Sequence, residues 1–146
     1  SITEHVALSI MDQSKIINWD IARSEATKRI EKFSIKGTVE STPESLSGGN
    51  QQRLLLALMP ETPLLLLMEH PTRGLDIESA AWVWSYLLNL SKSGTSIIFS
   101  SSDLEELTTY SDQIAVCFSG RIIDQFDASE ATVEELGLLI GGVHQQ

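Results

Sequence analysis

The chain has 146 residues, of which 42% are hydrophobic and 21% charged, which is ordinary for one soluble globular domain or a large piece of one. Ten basic residues against twenty acidic ones give a formal net charge of −10, which argues against a nucleic-acid partner because phosphates need a basic surface. The single cysteine, Cys117, excludes an intramolecular disulfide and a thiolate-rich zinc site, so we expect a reducing, cytoplasmic compartment.

Hydrophobic periodicity predicts a run of helices followed by strands that alternate with helices. In chain order the predicted elements are helices 4–11, 21–33 and 49–58, strand 64–68, helix 77–91, strand 95–100, helix 103–109, strands 114–119 and 121–126, and helix 129–139. The apolar run 64–68, bounded by Pro63 and Pro71, is typical of a fully buried strand and too short to span a membrane. This order indicates an α/β fold with a mostly parallel sheet, preceded by a helical lobe.

Three side-chain assignments follow from the same patterns. Asp76 is the predicted N-cap of helix 77–91, and Cys117 is predicted to be a small core residue of its strand. Trp82, Trp84 and Tyr86 alternate along one helix, so the three are predicted not to share a single face.

Residues 46–52, with the sequence LSGGNQQ, stand directly before a predicted helix and are here called the glycine loop. Glycines allow the backbone to approach a ligand closely, and the amides of a first helical turn are unpaired, so this segment can bind a phosphate. The alternative is a flexible Ser-Gly-Gly turn capped by Ser47. Taken alone, the segment leaves both interpretations open.

A carboxylate, Glu69, follows the strand 64–68 and is itself followed by residues 70–76, with the sequence HPTRGLD. Open α/β sheets place ligand chemistry at the carboxyl ends of their strands. A carboxylate there can hold Mg²⁺ through water while the metal bridges phosphate oxygens. A second predicted strand ends in the polar residues 101–103, which adds polar groups at the same edge.

Together these segments resemble ATP-binding-cassette (ABC) ATPases. The glycine loop resembles the signature loop of that family, 64–69 its Walker B strand and 74–76 its D-loop, while 101–103 stands where the family has its switch histidine. The endings Asn-Gln-Gln and Pro-Thr-Arg-Gly-Leu-Asp most resemble cassettes of bacterial simple-sugar and nucleoside importers, which carry two cassettes in one chain. The resemblance covers residues 21–142. It implies that the chain is the later half of one cassette, and the second of the two cassettes is the better match.

The resemblance implies an incomplete P-loop NTPase-like core. Residues 1–45 would be part of the helical subdomain, 46–142 the signature loop plus the C-terminal part of the ATPase core, and 143–146 a tail. ATP and Mg²⁺ are the implied cofactors of the parent protein. A second ABC cassette and transmembrane permease subunits are the implied partners, which places the protein on the inner face of the cell membrane. Residues 21–33 are the expected permease contact.

The resemblance also implies roles for individual residues. The implied nucleotide-binding residues, which would act in trans on the ATP of the opposing cassette, are Ser47, Gly48, Gly49, Asn50, Gln51 and Asp76. The implied catalytic positions hold Glu69 for the Walker B aspartate, His70 for the catalytic glutamate and Ser102 for the switch histidine. Glu69 would hold Mg²⁺ indirectly. Because all three residues depart from the family pattern, we expect the site formed by this half to be slow or inactive.

None of the nine glycines is followed by lysine, so the sequence lacks a phosphate loop. We interpret the chain as a piece of a longer protein, and we expect the isolated piece neither to hydrolyse ATP nor to bind it tightly. A naturally short, nucleotide-free protein is the alternative. Two other functions stay open: a non-transport ABC protein, and a catalytically degenerate cassette that only scaffolds its partner.

Overall fold

A computed structural model describes residues 1–11 and 16–142, so the predicted tail 143–146 lies outside the described residues. In chain order the elements are α1 (Ile2–Ile10), α2 (Trp19–Lys32), a 3-10 turn (Pro43–Ser45), α3 (Gly48–Leu58), β1 (Leu65–Glu69), α4 (Ile77–Lys92), β2 (Ser96–Ser100), α5 (Leu104–Tyr110), β3 (Gln113–Phe118), β4 (Arg121–Asp127) and α6 (Val133–Ile140). Each predicted helix and strand is confirmed, with ends shifted by four residues or fewer.

Polar side chains fix the starts of the helices. Asn18 Oδ1 accepts the backbone N–H groups of Asp20 and Ile21 at 3.1 Å each, which satisfies two amides of the first turn of α2. Asp76 Oδ1 accepts the backbone N–H of Ser79 at 2.9 Å, so the prediction that Asp76 caps α4 is confirmed.

The chain divides into two compact units, and the first consists of residues 1–66 and 72–96. Helices α1 to α4 pack there around a shared apolar core. Its most deeply buried large side chains are Ile2, Val6, Leu56, Val83 and Leu87. Since this unit includes α3 and α4, it extends past residue 45, and the division of the chain into 1–45 and 46–142 stays a prediction.

Aromatic residues of α4 lie on two faces of the helix. Trp84 is buried, whereas Trp82 and Tyr86 stack on each other with ring centroids 5.7 Å apart. The three do not share one face, as predicted, but Trp82 and Tyr86 do share one because they are four residues apart. Arg53 of α3 places its guanidinium 3.9 Å from the centre of the Trp82 ring, which joins α3 to α4 beside the packed ring of Phe33.

The second unit consists of residues 67–71 and the chain from Ile97 onward. Strands β3 and β4 form an antiparallel hairpin whose inner face packs on α5 and α6 through Ile114, Val116 and Leu136. The prediction that Cys117 is a core residue is wrong, since its side chain is exposed. The inward positions of β3 are Ile114 and Val116, and a bulge after Val116 leaves Cys117 opposite the exposed Ile122.

Strands β1 and β2 pair in a two-stranded sheet. Near its start the Ser96 N–H donates to the Leu64 carbonyl at 3.0 Å, and at its end the His70 N–H donates to the Ser100 carbonyl at 2.8 Å. Both strands therefore run in the same direction, and the predicted α/β class with a parallel sheet is confirmed, although β3 and β4 are antiparallel.

The prediction that strand 64–68 is fully buried is wrong for the described residues. Leu66 is buried, but Leu65 and Leu67 are 52% and 67% exposed. Within the described chain β1 pairs with one strand only, and alternate side chains of a strand point to opposite faces. Residues 1–11 and 16–142 contain no helix long and apolar enough to cross a membrane.

Candidate functional site

The glycine loop is held by a side-chain network rather than by a serine cap. Ser47 occupies the N-cap position of α3, but its side chain makes no capping hydrogen bond. Instead Ser47 Oγ accepts from Asn50 Nδ2 at 2.8 Å, and Asn50 Oδ1 accepts the backbone N–H of Lys36 at 2.7 Å. Ser47 is therefore the N-cap residue of α3, as the alternative interpretation expects, but its side chain accepts no amide of the first turn of that helix.

Gln51 ties the other side of the loop to the preceding 3-10 turn. Its Nε2 donates to the carbonyl of Pro43 at 3.0 Å and to that of Leu46 at 3.2 Å. Leu46 is buried, so its side chain anchors the loop while its carbonyl receives the Gln51 amide. Asn50 and Gln51, both predicted site residues, thus shape the loop from two directions.

Gly49 allows the loop to lie directly against the start of α4. A Cβ atom on Gly49 would lie 2.2 Å from Ser79 Oγ and 2.9 Å from Ser79 Cβ, closer than real Cβ atoms come. A Cβ on Gly48 would meet nothing closer than Leu75 Cδ2 at 3.9 Å. The absence of a side chain is thus required for packing at Gly49, while Gly48 is exposed.

Asp76 lies next to this contact between Gly49 and Ser79. Its carboxylate accepts the Ser79 backbone N–H and the Ser79 hydroxyl, each at 2.9 Å. These two hydrogen bonds hold the pKa of Asp76 below its ordinary value because they favour the ionised form. The structure therefore brings Ser47, Gly48, Gly49 and Asp76 together within one unit, with Ser79 as their link.

The predicted catalytic residues lie in the other unit, where β1 and β2 end. Glu69 closes β1 and is exposed. His70 follows with a φ of +47°, a left-handed conformation that histidine adopts more readily than most residues, and its backbone N–H is bonded to Ser100. The imidazole of His70 is half-buried.

Residues 101–103 form a hydrogen-bonded turn after β2. Ser101 Oγ donates to Glu106 Oε2 at 2.8 Å and accepts the Asp103 N–H at 3.0 Å, while Asp103 caps α5. Ser102, the predicted switch position, is exposed beside this turn. Ser101 organises the turn and Ser102 is left facing outward.

The sequence-predicted residues thus fall into two sets, one around the glycine loop and one at the ends of β1 and β2. Sequence reasoning missed Lys36 and Ser79, which hold the first set in place. The Asp-x-x-Ser spacing of a helix cap could have revealed Ser79, whereas nothing in the sequence marks the backbone amide of Lys36. In the part of the chain that is described, no group of three His, Cys, Asp or Glu side chains could hold a metal ion.

Sequence comparison finds related import proteins, although no protein-family model matches the chain. The chain is 37% identical over 124 residues to the guanosine import ATP-binding protein NupO of Bacillus subtilis, covering 84% of this chain and 24% of that protein. It is 36% identical over 129 residues to the galactose/methyl galactoside import ATP-binding protein MglA of Clostridium tetani, covering 86% and 25%. The chain therefore spans about a quarter of the length of the curated relatives that it matches.

Solved structures with the same fold are ATP-binding cassettes. The ATP-binding subunit of an ABC transporter superposes with a TM-score of 0.72 at 19% identity, over 97% of this chain and 62% of that one. A dimeric cassette in a post-hydrolysis state, bound to ADP and phosphate, superposes with a TM-score of 0.71 at 19% identity, over 90% and 58%.

Proposed function

The chain belongs to the ABC ATPase family, and we propose that the protein containing it is an ATP-hydrolysing, energy-coupling subunit of an importer for a sugar or nucleoside. This proposal rests mainly on the glycine loop. The side chains of Asn50 and Gln51 fix this loop through hydrogen bonds, so that its backbone and the Ser47 hydroxyl can bind an anion. Relatives with import functions at 36–37% identity support the transport class.

The loop is proposed to act in trans. An exposed serine hydroxyl and open amides at a helix N-terminus favour a phosphate, but the sequence has no Gly-Lys pair to bind the rest of a nucleotide. A second cassette would supply that phosphate loop, and Ser47, Gly48 and Gly49 would close over its ATP. The superposition on a cassette that forms a dimer supports this arrangement.

The chemistry of Glu69 fits an indirect role toward Mg²⁺. Mg²⁺ keeps several water ligands and takes the others from phosphates and one or two carboxylates. Glu69 supplies one exposed carboxylate at the end of β1. When bound with ATP, the metal would neutralise phosphate charge, while Glu69 would hold its water ligands.

A scaffolding cassette is the second candidate, favoured by His70 and Ser102. An imidazole stands where a carboxylate normally polarises water, and Ser102 cannot carry positive charge toward a phosphate. We infer that the ATP site formed by this half hydrolyses ATP slowly, whereas its glycine loop contributes to the ATP site of the partner cassette. If both ATP sites of the assembly were inactive, the protein would act only as a scaffold for its partner. The net charge of −10 disfavours the other alternative, a non-transport ABC protein.

Helix α2 is the proposed contact with the permease, which would hold the protein on the cytoplasmic side of the membrane. Ile21 is 58% exposed, and Trp19, two residues before the proposed contact, is 53% exposed, which provides apolar surface for a partner. The proposed contact runs from Ile21 to residue 33, as the resemblance implies.

Counting nucleotides on the full-length protein, assembled with its second cassette, tests this function. We expect ATP turnover together with one exchangeable and one inert nucleotide per assembly, since only the site completed by this glycine loop would be active. Absence of turnover at every ATP concentration would leave the scaffolding function in place of the proposed one.

A further inference from the structure

Ser47, the N-cap residue of α3, and Asn50, in the first turn of that helix, form a pair whose hydrogen-bond direction is fixed. Asn50 Oδ1 lies 2.7 Å from the backbone nitrogen of Lys36, and Asn50 Nδ2 lies 2.8 Å from Ser47 Oγ. A backbone N–H can only donate, so the carboxamide must turn its oxygen toward Lys36. Its NH₂ group, also donor only, then faces Ser47, and Ser47 Oγ must accept.

This arrangement leaves the Ser47 hydroxyl hydrogen available. An N-cap serine ordinarily accepts from the backbone N–H at the third helical position, which here belongs to Asn50. In this loop the side chain of Asn50 occupies that acceptor, and Ser47 is exposed. A hydroxyl that accepts one hydrogen bond can still donate its own proton, and the hydrogen bond that it donates is strongest when the acceptor is an anion.

We propose that Asn50 is a positioning residue that holds the Ser47 hydroxyl as a donor toward a phosphate oxygen of the ATP bound by the second cassette. This rests on the proposed function, because ATP is the ligand that the glycine loop would meet. Fixing the donor before the ligand arrives reduces the ordering cost of binding. Lys36 takes part through its backbone amide alone, so its own side chain is not required.

A double-mutant cycle on the full-length protein with its second cassette tests the proposal. The variants are Ser47→Ala, Asn50→Ala and the two combined, and the measurement is the apparent KM for ATP. Because each single substitution would weaken or remove a hydrogen bond to a charged phosphate, it should raise KM by about tenfold. If Asn50 acts through Ser47, adding Asn50→Ala to Ser47→Ala should raise KM by less than about twofold further.

Two further variants distinguish the loss of this hydrogen bond from a loss of folding. Asn50→Asp keeps the shape of the side chain and an acceptor for the Lys36 amide but removes the donor to Ser47, so it should raise KM at least as much as Asn50→Ala. The matched control is Asn89→Ala, at an exposed position of α4, which should leave KM unchanged.

Each outcome decides a separate point. An equal rise in KM from Asn50→Ala with and without Ser47 would overturn the positioning role and leave the proposed function intact. A wild-type KM in Asn50→Asp would overturn it as well. No change of KM in Ser47→Ala would instead contradict the proposed contact between the glycine loop and ATP.

Discussion

Asp76 shows how one carboxylate fixes the start of α4, the segment against which Gly49 of the glycine loop packs. Its two hydrogen bonds from Ser79 stabilise the ionised form and lower its pKa, so Asp76 contributes stability above the unfolded-state pKa of about 3.9. That contribution is lost as the pH falls through the lower pKa of the folded state.

We therefore predict a pH-dependent effect of Asp76→Asn, which keeps a capping side chain but removes the charge. The difference in free energy of unfolding between wild type and variant should be constant from about pH 7 to pH 5 and shrink below about pH 4. Denaturant unfolding at a series of pH values measures it. A difference that grows on acidification would contradict the assigned role of Asp76.

Individual site residues could be read from the sequence only where a local pattern marks them. Ser47, the two glycines and Asp76 stand in short motifs, and the structure places them together. The amide of Lys36 lies 14 residues before Asn50, across a connection whose only regular element is the 3-10 turn Pro43–Ser45, so no sequence pattern indicates this contact.

At the scale of elements, the contact between α3 and α4 depends on the missing side chain of Gly49. We predict that Gly49→Ala destabilises the protein by about 1–3 kcal/mol, because the new methyl would overlap Ser79. Gly48→Ala is the matched control and should be tolerated, since its methyl would meet Leu75 at 3.9 Å. Thermal unfolding of both variants compares them directly.

A second substitution tests the cause of that destabilisation. Ser79→Gly removes both atoms that Gly49→Ala would strike, while the backbone N–H of residue 79 can still bond to Asp76. The combined variant should thus recover part of the stability lost by Gly49→Ala. Equal destabilisation by Gly48→Ala and Gly49→Ala would argue against close packing at Gly49.

Element types were predictable from periodicity, but burial was less so. Strand β1 has the apolar composition of a buried strand, yet whether Leu65 and Leu67 are covered depends on neighbours that the run itself does not specify. Helix α6 begins at Val133, later than the predicted residue 129, because Thr132 and Glu135 form a capping box. Cys117 is exposed because it follows Val116, and in a strand whose inward positions are Ile114 and Val116 the alternate residues point outward.

At the scale of the whole molecule, the two sets of site residues suggest unequal contributions to two ATP sites. The glycine loop is held in a defined geometry by Lys36, Asn50 and Gln51. At the ends of β1 and β2, the proposed assignment would place His70 where the family has a catalytic carboxylate and Ser102 where it has a switch histidine. We therefore propose that this half completes the ATP site of its partner and contributes little chemistry to its own.

ATP turnover by the full-length protein, compared between Ser47→Arg and His70→Ala, tests that claim most directly. Arginine at Ser47 would fill the space of the phosphate contact, and Ser91→Arg, at an exposed position of α4, controls for the added bulk and charge. We expect Ser47→Arg to abolish turnover, while His70→Ala and Ser91→Arg change it little. Normal turnover in Ser47→Arg together with a severe loss in His70→Ala would overturn the proposed division of roles and make His70 a working catalytic residue.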